Sequence, residues 1–312
     1  MYLAFYGLAE KPFNTTPDPK FLWLTPGHRE ALAQLLYSVQ ENRGFLALTG
    51  EVGTGQTTLL NALVRRLDAN TAIAFISDST LAFDDLLAYA FKEFGVSTDG
   101  GSRAERLFAF KQFLIEGRRA GRRTALIIDE AQNLDVPTLE QIRLLSNIET
   151  PEDKLLQVLL VGQPELRAKL RRPELRQLQQ RIELHCTIPS LSRVQTRQYI
   201  QARVRIAGGR DRALFSDAAI ATIAAYTEGI PRRINILCDH CLVLGYAGQE
   251  RRIERDIVRH AIASIEAPHR LGRPTGGGGL RRLLDALGAL VTAPVAGVGR
   301  VVQMIRTGRE IG

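Results

Sequence analysis

Nine residues following an apolar run hold the first group capable of chemistry. They are Gly50-Glu51-Val52-Gly53-Thr54-Gly55-Gln56-Thr57-Thr58, placed between GFLALT and a helix-forming stretch. Glycines at these spacings let the backbone turn so that successive N–H groups face phosphate oxygens, and the helix start adds its dipole. The pattern is that of a P-loop, Gly-x4-Gly-Lys-[Ser/Thr], with Thr57 where a hydroxyl ligates Mg2+. Position 56 departs from it, carrying Gln in place of Lys.

About 80 residues after Gly50, the run Thr124-Ala-Leu-Ile-Ile-Asp129-Glu130 is an apolar strand closed by two acids. Asp129 at the strand's carboxyl end suits Mg2+ held through water, and Glu130 suits polarising an attacking water. Alone, the first group reads as an ordinary strand-to-helix turn and the second as helix-capping acids. Their joint order points to ATP with Mg2+.

Gln56 changes what that site can do. Its amide donates hydrogen bonds but is neutral and shorter than lysine. Losing one charge-assisted bond of about 1.5–3 kcal/mol costs roughly ten- to hundredfold in affinity or transition-state stabilisation. The expectation is partial ATP binding with poor turnover.

These residues need elements to hold them. Apolar runs at Phe45–Thr49, Ala72–Ile76, Thr124–Ile128, Leu156–Val161 and Ile182–Ile188 read as strands. Helical patterns at Thr57–Leu67, Phe83–Phe94, Arg103–Ala120 and Leu139–Ile148 lie between them. That alternation predicts a five-stranded parallel sheet covered on both faces. After Pro189 only helices follow: Ser192–Ile206, opened by a Ser192/Gln195 capping box, then Ser216–Thr227, Arg232–Tyr246 and Glu254–Ile265. The expected organisation is an α/β core over 1–190, a helical lid over 191–267, a Gly-rich linker over 268–279 and a basic amphipathic tail over 280–312.

The whole has the composition of a folded globular protein, 45% apolar and 24% charged over 312 residues. Collagen-like, disulfide-scaffold and wholly disordered classes are thereby excluded. The net charge is +8, and the last 48 residues hold half of it, seven Arg against Glu266, Asp285 and Glu310. A basic balance suits an anionic partner, nucleic acid or an acidic membrane face. In the tail, Leu280, Leu283, Leu284 and Leu287 form a helical stripe flanked by arginines, fit to lie on a membrane, a partner, or the chain's own lid.

Three cysteines, Cys186, Cys238 and Cys241, make no paired framework. Cys238 and Cys241 have C-x-x-C spacing, which admits a zinc or redox reading, but they share an apolar helix stripe with Ile234, Leu237 and Leu242, which favours core residues. The opening MYLAFYGLAEKPF has no basic segment followed by an apolar one, so a secretory signal is not expected. Residues 286–299 would span about 21 Å as a helix, short of a bilayer's ~30 Å core. A cytoplasmic protein is expected, with a peripheral position at the inner membrane open to it.

The chain resembles the AAA+ ATPases of the general secretion pathway protein A (ExeA-like) type. The resemblance covers about residues 1–266 and rests on FYGLAEKPFNTTPDPKFLWLTPGHREAL, LTGEVGTGQTTLL, LIIDEAQNL, LLVGQPEL and GIPRRIN. It implies a RecA-like P-loop core with a helical lid and ATP at their boundary. Gly50, Gly53, Thr54, Gly55, Gln56, Thr57 and Thr58 then take Walker A positions, and Asp129 and Glu130 take Walker B. Gln163 matches a first sensor touching γ-phosphate or water; a strand-ending turn before Pro164 is the other reading. Arg232 matches a second sensor reaching from the lid, against a solvated pair with Arg233. Arg181 matches an arginine finger acting on a neighbouring subunit's nucleotide, with Arg176 in reserve, against a solvated basic face. The aromatic-rich opening, Phe5, Tyr6, Phe13, Phe21 and Trp23 among prolines, implies part of an adenine pocket, or else a strap across the sheet.

What the resemblance implies for function divides. One branch uses ATP to assemble a membrane-associated secretion or envelope complex, as a homo-oligomeric ring or filament. A second comprises DNA-transposition helper ATPases that assemble on DNA. A third reading, from Gln56 itself, is a nucleotide-gated scaffold without turnover.

Overall fold

The computed structural model describes residues 2–16, 18–97, 101–149, 154–209 and 214–266. The linker and tail expected over 268–312, with their leucine stripe and arginines, lie outside the described residues, as does Pro17. By internal packing the chain divides into residues 1–263 and 264–312.

Five strands form one parallel sheet: β1 (Phe45–Gly50), β2 (Thr71–Ile76), β3 (Arg123–Ile128), β4 (Gln157–Gly162) and β5 (Ile182–Ile188). Their order is β2-β3-β4-β1-β5. This is the parallel α/β sheet read from the alternating runs, with each boundary within one residue. β1 and β4 are buried at every position, because helices cover both faces. Edge strand β5 alternates instead, with Cys186 and Ile188 inward.

Twelve α-helices and three short 3-10 helices (Pro19–Phe21, Ala131–Asn133 and Pro173–Leu175) complete the described chain, the α-helices being α1 (Tyr2–Tyr6), α2 (Pro26–Gln40), α3 (Gln56–Arg66), α4 (Phe83–Phe94), α5 (Arg103–Arg119), α6 (Val136–Leu145), α7 (Pro164–Leu170), α8 (Arg176–Gln179), α9 (Arg193–Ile206), α10 (Asp217–Thr227), α11 (Pro231–Ala247) and α12 (Arg255–Glu266). Capping chemistry sets several starts. Ser102 and Glu105 form a capping box on α5, and Ser192 with Gln195 forms the expected one on α9. Helix α6 begins three residues before the apolar periodicity does. Asp135 accepts from the Thr138 N–H there, and Pro137 fits the first turn. Helix α2 lies in the proline-punctuated opening where no helix was assigned. Thr25 caps it and Pro26 takes its first position.

Two apolar cores result. One joins the sheet to α4, α5 and α6 through Phe83, Phe91, Phe110, Leu126 and Ile142. The other joins α9, α10 and α11 through Ile200, Ile223, Leu237 and Leu242. Tyr2, Leu8, Phe13 and Phe21 belong to this second core. The opening segment therefore packs on the helical part rather than strapping the sheet.

Arg203 of α9 is the polar reason for that docking. It is 6% exposed and donates to Pro12 O (2.5 Å), Tyr199 Oη (2.9 Å) and Asn14 O (3.3 Å). Its guanidinium lies 4.8 Å from the Phe21 ring centre, so neutral acceptors and a π-face replace a carboxylate. Cys238 and Cys241 are fully buried beside Ile234 and Leu237. Burial pushes both thiols up, Cys241 to about 12, away from thiolate chemistry.

Candidate nucleotide-binding site

Strand order brings the chemistry together. β3, β4 and β1 are neighbours, so their carboxyl ends set Asp129, Gln163 and the Gly50 loop side by side, the usual ligand edge of a parallel sheet. β1 runs directly into the loop. Gly53 (φ +85°) and Gly55 (φ +107°) turn it through left-handed conformations that side chains disfavour. Thr54 is buried and closes the turn, its N–H and hydroxyl both donating to Glu51 O at 3.1 and 2.8 Å.

The helix that follows starts uncapped. Gly55 is the N-cap of α3 and has no side chain to accept from the first turn. The N–H groups of Gln56, Thr57 and Thr58 thus have no acceptor within the helix. Uncapped donors behind a glycine turn fit an anionic phosphate chain, and Thr57 adds a hydroxyl.

Gln56 does not point its amide to open space. Nε2 donates to Gly50 O (3.2 Å) and Gly162 O (2.5 Å), the last carbonyls of adjacent strands β1 and β4. The two strands pair Thr49 with Gly162, so one amide staples the sheet edge below the loop.

Asp129 follows β3 and accepts from the Glu130 N–H (2.9 Å). Burial pushes its carboxyl up to about 6 and the Glu130 charge adds to this, against the lowering by that N–H. No basic side chain bonds to it among the described residues. A buried carboxylate with no cationic partner among the described residues is a hard-oxygen donor that fits Mg2+.

Glu130 sits in the left-handed region at φ +52°, a conformation that costs a residue of this type energy. The Ser79 hydroxyl holds its carbonyl at 2.7 Å. Its Oε2 accepts from Gln132 Nε2 (2.5 Å) and Gln163 Nε2 (3.1 Å), and Gln132 Oε1 accepts from the Gln163 N–H (3.2 Å). Gly162 makes room, since a Cβ there would lie 2.5 Å from Gln132 Oε1. Two glutamines therefore grip the acid at the end of β3.

The helical part meets the loop at α11. The Arg232 N–H donates to Gly53 O (3.3 Å), and a Cβ on Gly53 would lie 2.6 Å from the Arg232 Cβ. The exposed Arg232 side chain has no partner among the described residues. Between loop, opening segment and α9 lies a cavity of about 70 Å³, bordered by Phe21, Trp23, His28, Gly55, Thr58, Leu191, Tyr199 and Pro231. Aromatic and aliphatic walls beside the phosphate loop fit a nucleobase.

His28, near the start of α2, supports the loop from below. Thr54 O accepts from Nε2 (3.0 Å), which leaves Nδ1 to accept from the Thr25 hydroxyl (2.6 Å). Burial lowers its pKa, outweighing the Thr54 bond. Below about pH 6.5 the unfolded chain takes up a proton that folded His28 resists, so stability falls as pH drops and is unaffected above. Thermal unfolding between pH 7.5 and 5.5 should fall more steeply for the parent than for His28→Asn. Parallel profiles would remove His28 as the cause.

Arg181 is not drawn into this group. It is half-buried after α8 and donates to Ser146 Oγ (3.4 Å) at the C-terminal end of α6. Arg176 is exposed. His28, Gln132 and Ser79 are the residues sequence reasoning missed. Gln132 stood in the quoted LIIDEAQNL, but neither spacing nor type distinguished it from a surface glutamine.

Residues 39–170 match a protein family described as an AAA domain. General secretion pathway protein A of Aeromonas hydrophila is 40% identical over 295 residues, covering 94% of this chain and 53% of that protein. The chain thus spans about half the length of that relative. Among solved structures, Cdc6p of Pyrobaculum aerophilum superposes with a TM-score of 0.62 at 18% identity, over 81% of this chain and 70% of that one. Drosophila ORC bound to DNA gives 0.62 at 17% identity, over 97% and 83%. At these identities the two structures speak for the fold alone.

Proposed function

The chain belongs to the AAA+ family of general secretion pathway protein A, and on that premise we propose that it binds Mg·ATP at the Gly50–Thr58 loop and turns it over poorly. The observation carrying this reading is Gln56, whose amide is engaged by two strand-end carbonyls where lysine would supply a charge. The uncapped N–H groups of α3 hold the phosphates, Thr57 and Asp129 hold the metal, and the aromatic cavity at Trp23 and Tyr199 takes the base. Bound Mg·ATP supplies the γ-phosphoryl group and charge neutralisation. Glu130 orients water once Gln132 and Gln163 yield its carboxylate, with Gln163 as first sensor and Arg232 as second.

Occupancy, rather than turnover, then gates assembly. Subunits stack as a homo-oligomer in which Arg181 or Arg176 completes a neighbour's site. The assembly serves a membrane-associated secretion or envelope complex, at the inner face of the membrane. This wider role rests on kinship with a protein twice as long. The two cores support a division into an α/β core to residue 190 and a helical lid to 267, except that Tyr2, Leu8, Phe13 and Phe21 of the opening segment pack with the helical part. No described helix is long and apolar enough to cross a membrane.

Thermal unfolding of the full chain tests the binding reading. At a hundred times Kd, Mg·ATP stabilises by about 2.7 kcal/mol, a shift of several degrees. Thr57→Ala and Asp129→Asn should each weaken the Mg-dependent part about tenfold. No shift at millimolar Mg·ATP refutes the assignment.

A further inference from the structure

Trp23 is the chain's only tryptophan, and it borders two cavities. One is the base cavity already described. The other is larger, about 290 Å³, and is bordered by Trp23 with Gln198, Gln201 and Arg205 of α9. Gln198, Gln201 and Arg205 share one face of the helix, at i, i+3 and i+7. Their side chains have no hydrogen bond or ion pair among the described residues. This cavity therefore sets an indole ring beside two amides and a guanidinium that have no partner among the described residues.

The helix itself points to the charge of what would fill it. α9 reads RVQTRQYIQARVRI, four arginines and no acid. Arg203 turns inward, leaving Arg193, Arg197 and Arg205 along a strip of about 18 Å at 1.5 Å per residue. Arg197 pairs with Asp217 (2.5 Å), whereas Arg193 and Arg205 are exposed and have no ion pair among the described residues. Asp217 of α10 neutralises only Arg197, and a strip that keeps two exposed arginines beside a stacking ring suits a polyanion that carries planar bases.

We propose that Trp23 and the outer face of α9 form a binding site for single-stranded nucleic acid. One base stacks on Trp23, the Gln198 and Gln201 amides meet its edge, and Arg205 and Arg193 contact flanking phosphates. Gln amides both donate and accept, as a base edge requires. An acidic membrane face fits less well. The ring lines a concavity among amides, and on α9 only Val194 is an exposed large apolar side chain, whereas interfacial anchoring needs several that protrude. The site shares Trp23 with the base cavity but draws its other contacts, Gln198, Gln201, Arg205 and Arg193, from the outer face of α9 rather than from the phosphate loop.

Labelled dT15 titrated onto the full chain, without nucleotide, tests this by anisotropy and by Trp23 emission. Stacking should quench that emission as the oligonucleotide binds. The Arg193→Gln/Arg205→Gln double variant removes two phosphate contacts, so the log–log salt slope should flatten by about 1.4 at ~0.7 per contact. Its affinity at 0.1 M salt should fall tenfold or more. Both positions are exposed, and an unchanged melting temperature verifies the fold. Gln201→Glu, which sets a carboxylate at the base edge, should weaken binding comparably. Binding with unchanged Trp23 emission, or with the parent's slope in the double variant, overturns the proposal. So does a blue shift on phosphatidylglycerol vesicles without any response to dT15.

Discussion

Replacing Gln56 by lysine raises steady-state ATP turnover of the full chain by roughly ten- to hundredfold. The expectation follows from what one ammonium adds at this place. A charge-assisted hydrogen bond contributes about 1.5–3 kcal/mol, and each ~1.4 kcal/mol of transition-state stabilisation is tenfold in rate. The parent amide is neutral and is already committed to Gly50 O and Gly162 O. Drawing it to a phosphate would strip a donor from two strand-end carbonyls, so little net gain remains. Lysine has three rotatable donors and a longer stem, so it can reach a phosphate and still face the sheet edge. Phosphate release at saturating Mg·ATP measures the change. Glu130→Gln in the lysine background should return turnover to the parent's level. An unchanged rate in Gln56→Lys would mean that the limit lies elsewhere, in the glutamine grip on Glu130 or in a missing subunit.

That comparison also bears on what sequence could disclose. The inner strands were legible because they are buried apolar runs, edge strand β5 showed by its alternation, and the ends of β1 and β3 carried glycines and acids at recognisable spacing. The staple formed by Gln56 was not legible, since it needs β1 and β4 to be neighbours, which comes from strand order. The hold on Glu130 failed to show for the same reason. Gln132 and Gln163 lie 31 residues apart and meet only because β4 ends beside β3. Helix α2 was hidden by the prolines and aromatics before it, although Thr25-Pro26 is a sound helix start. The opening aromatics were read from composition, which says that they pack but not on what. Arg203 decides that, by spending its donors on Pro12 and Asn14 carbonyls.

Gly229→Ala should destabilise the chain by more than about 4 kcal/mol, while Gly121→Ala costs only about 1–2 kcal/mol. Both glycines have nearly the same left-handed backbone, φ +70° and +72°. The intrinsic penalty for a side chain is therefore shared, and the difference isolates the surroundings. A Cβ on Gly121 meets nothing within 4 Å. On Gly229 it would lie 1.9 Å from Leu191 O and 2.8 Å from Leu191 C, both backbone atoms that no rotamer change can move. The two segments are also tied, the Leu191 N–H donating to Gly229 O (2.9 Å). Three residues on, the Arg232 N–H reaches Gly53 O, so the strain is passed to the phosphate loop. Thermal unfolding should fall by a few degrees in Gly121→Ala and by about 10 °C or more in Gly229→Ala. The Gly229 variant should also lose the stabilisation by Mg·ATP that Gly121→Ala keeps. Equal losses in the two variants would mean that the chain relieves this contact by shifting the start of the helical part, and that Gly229 serves its turn alone.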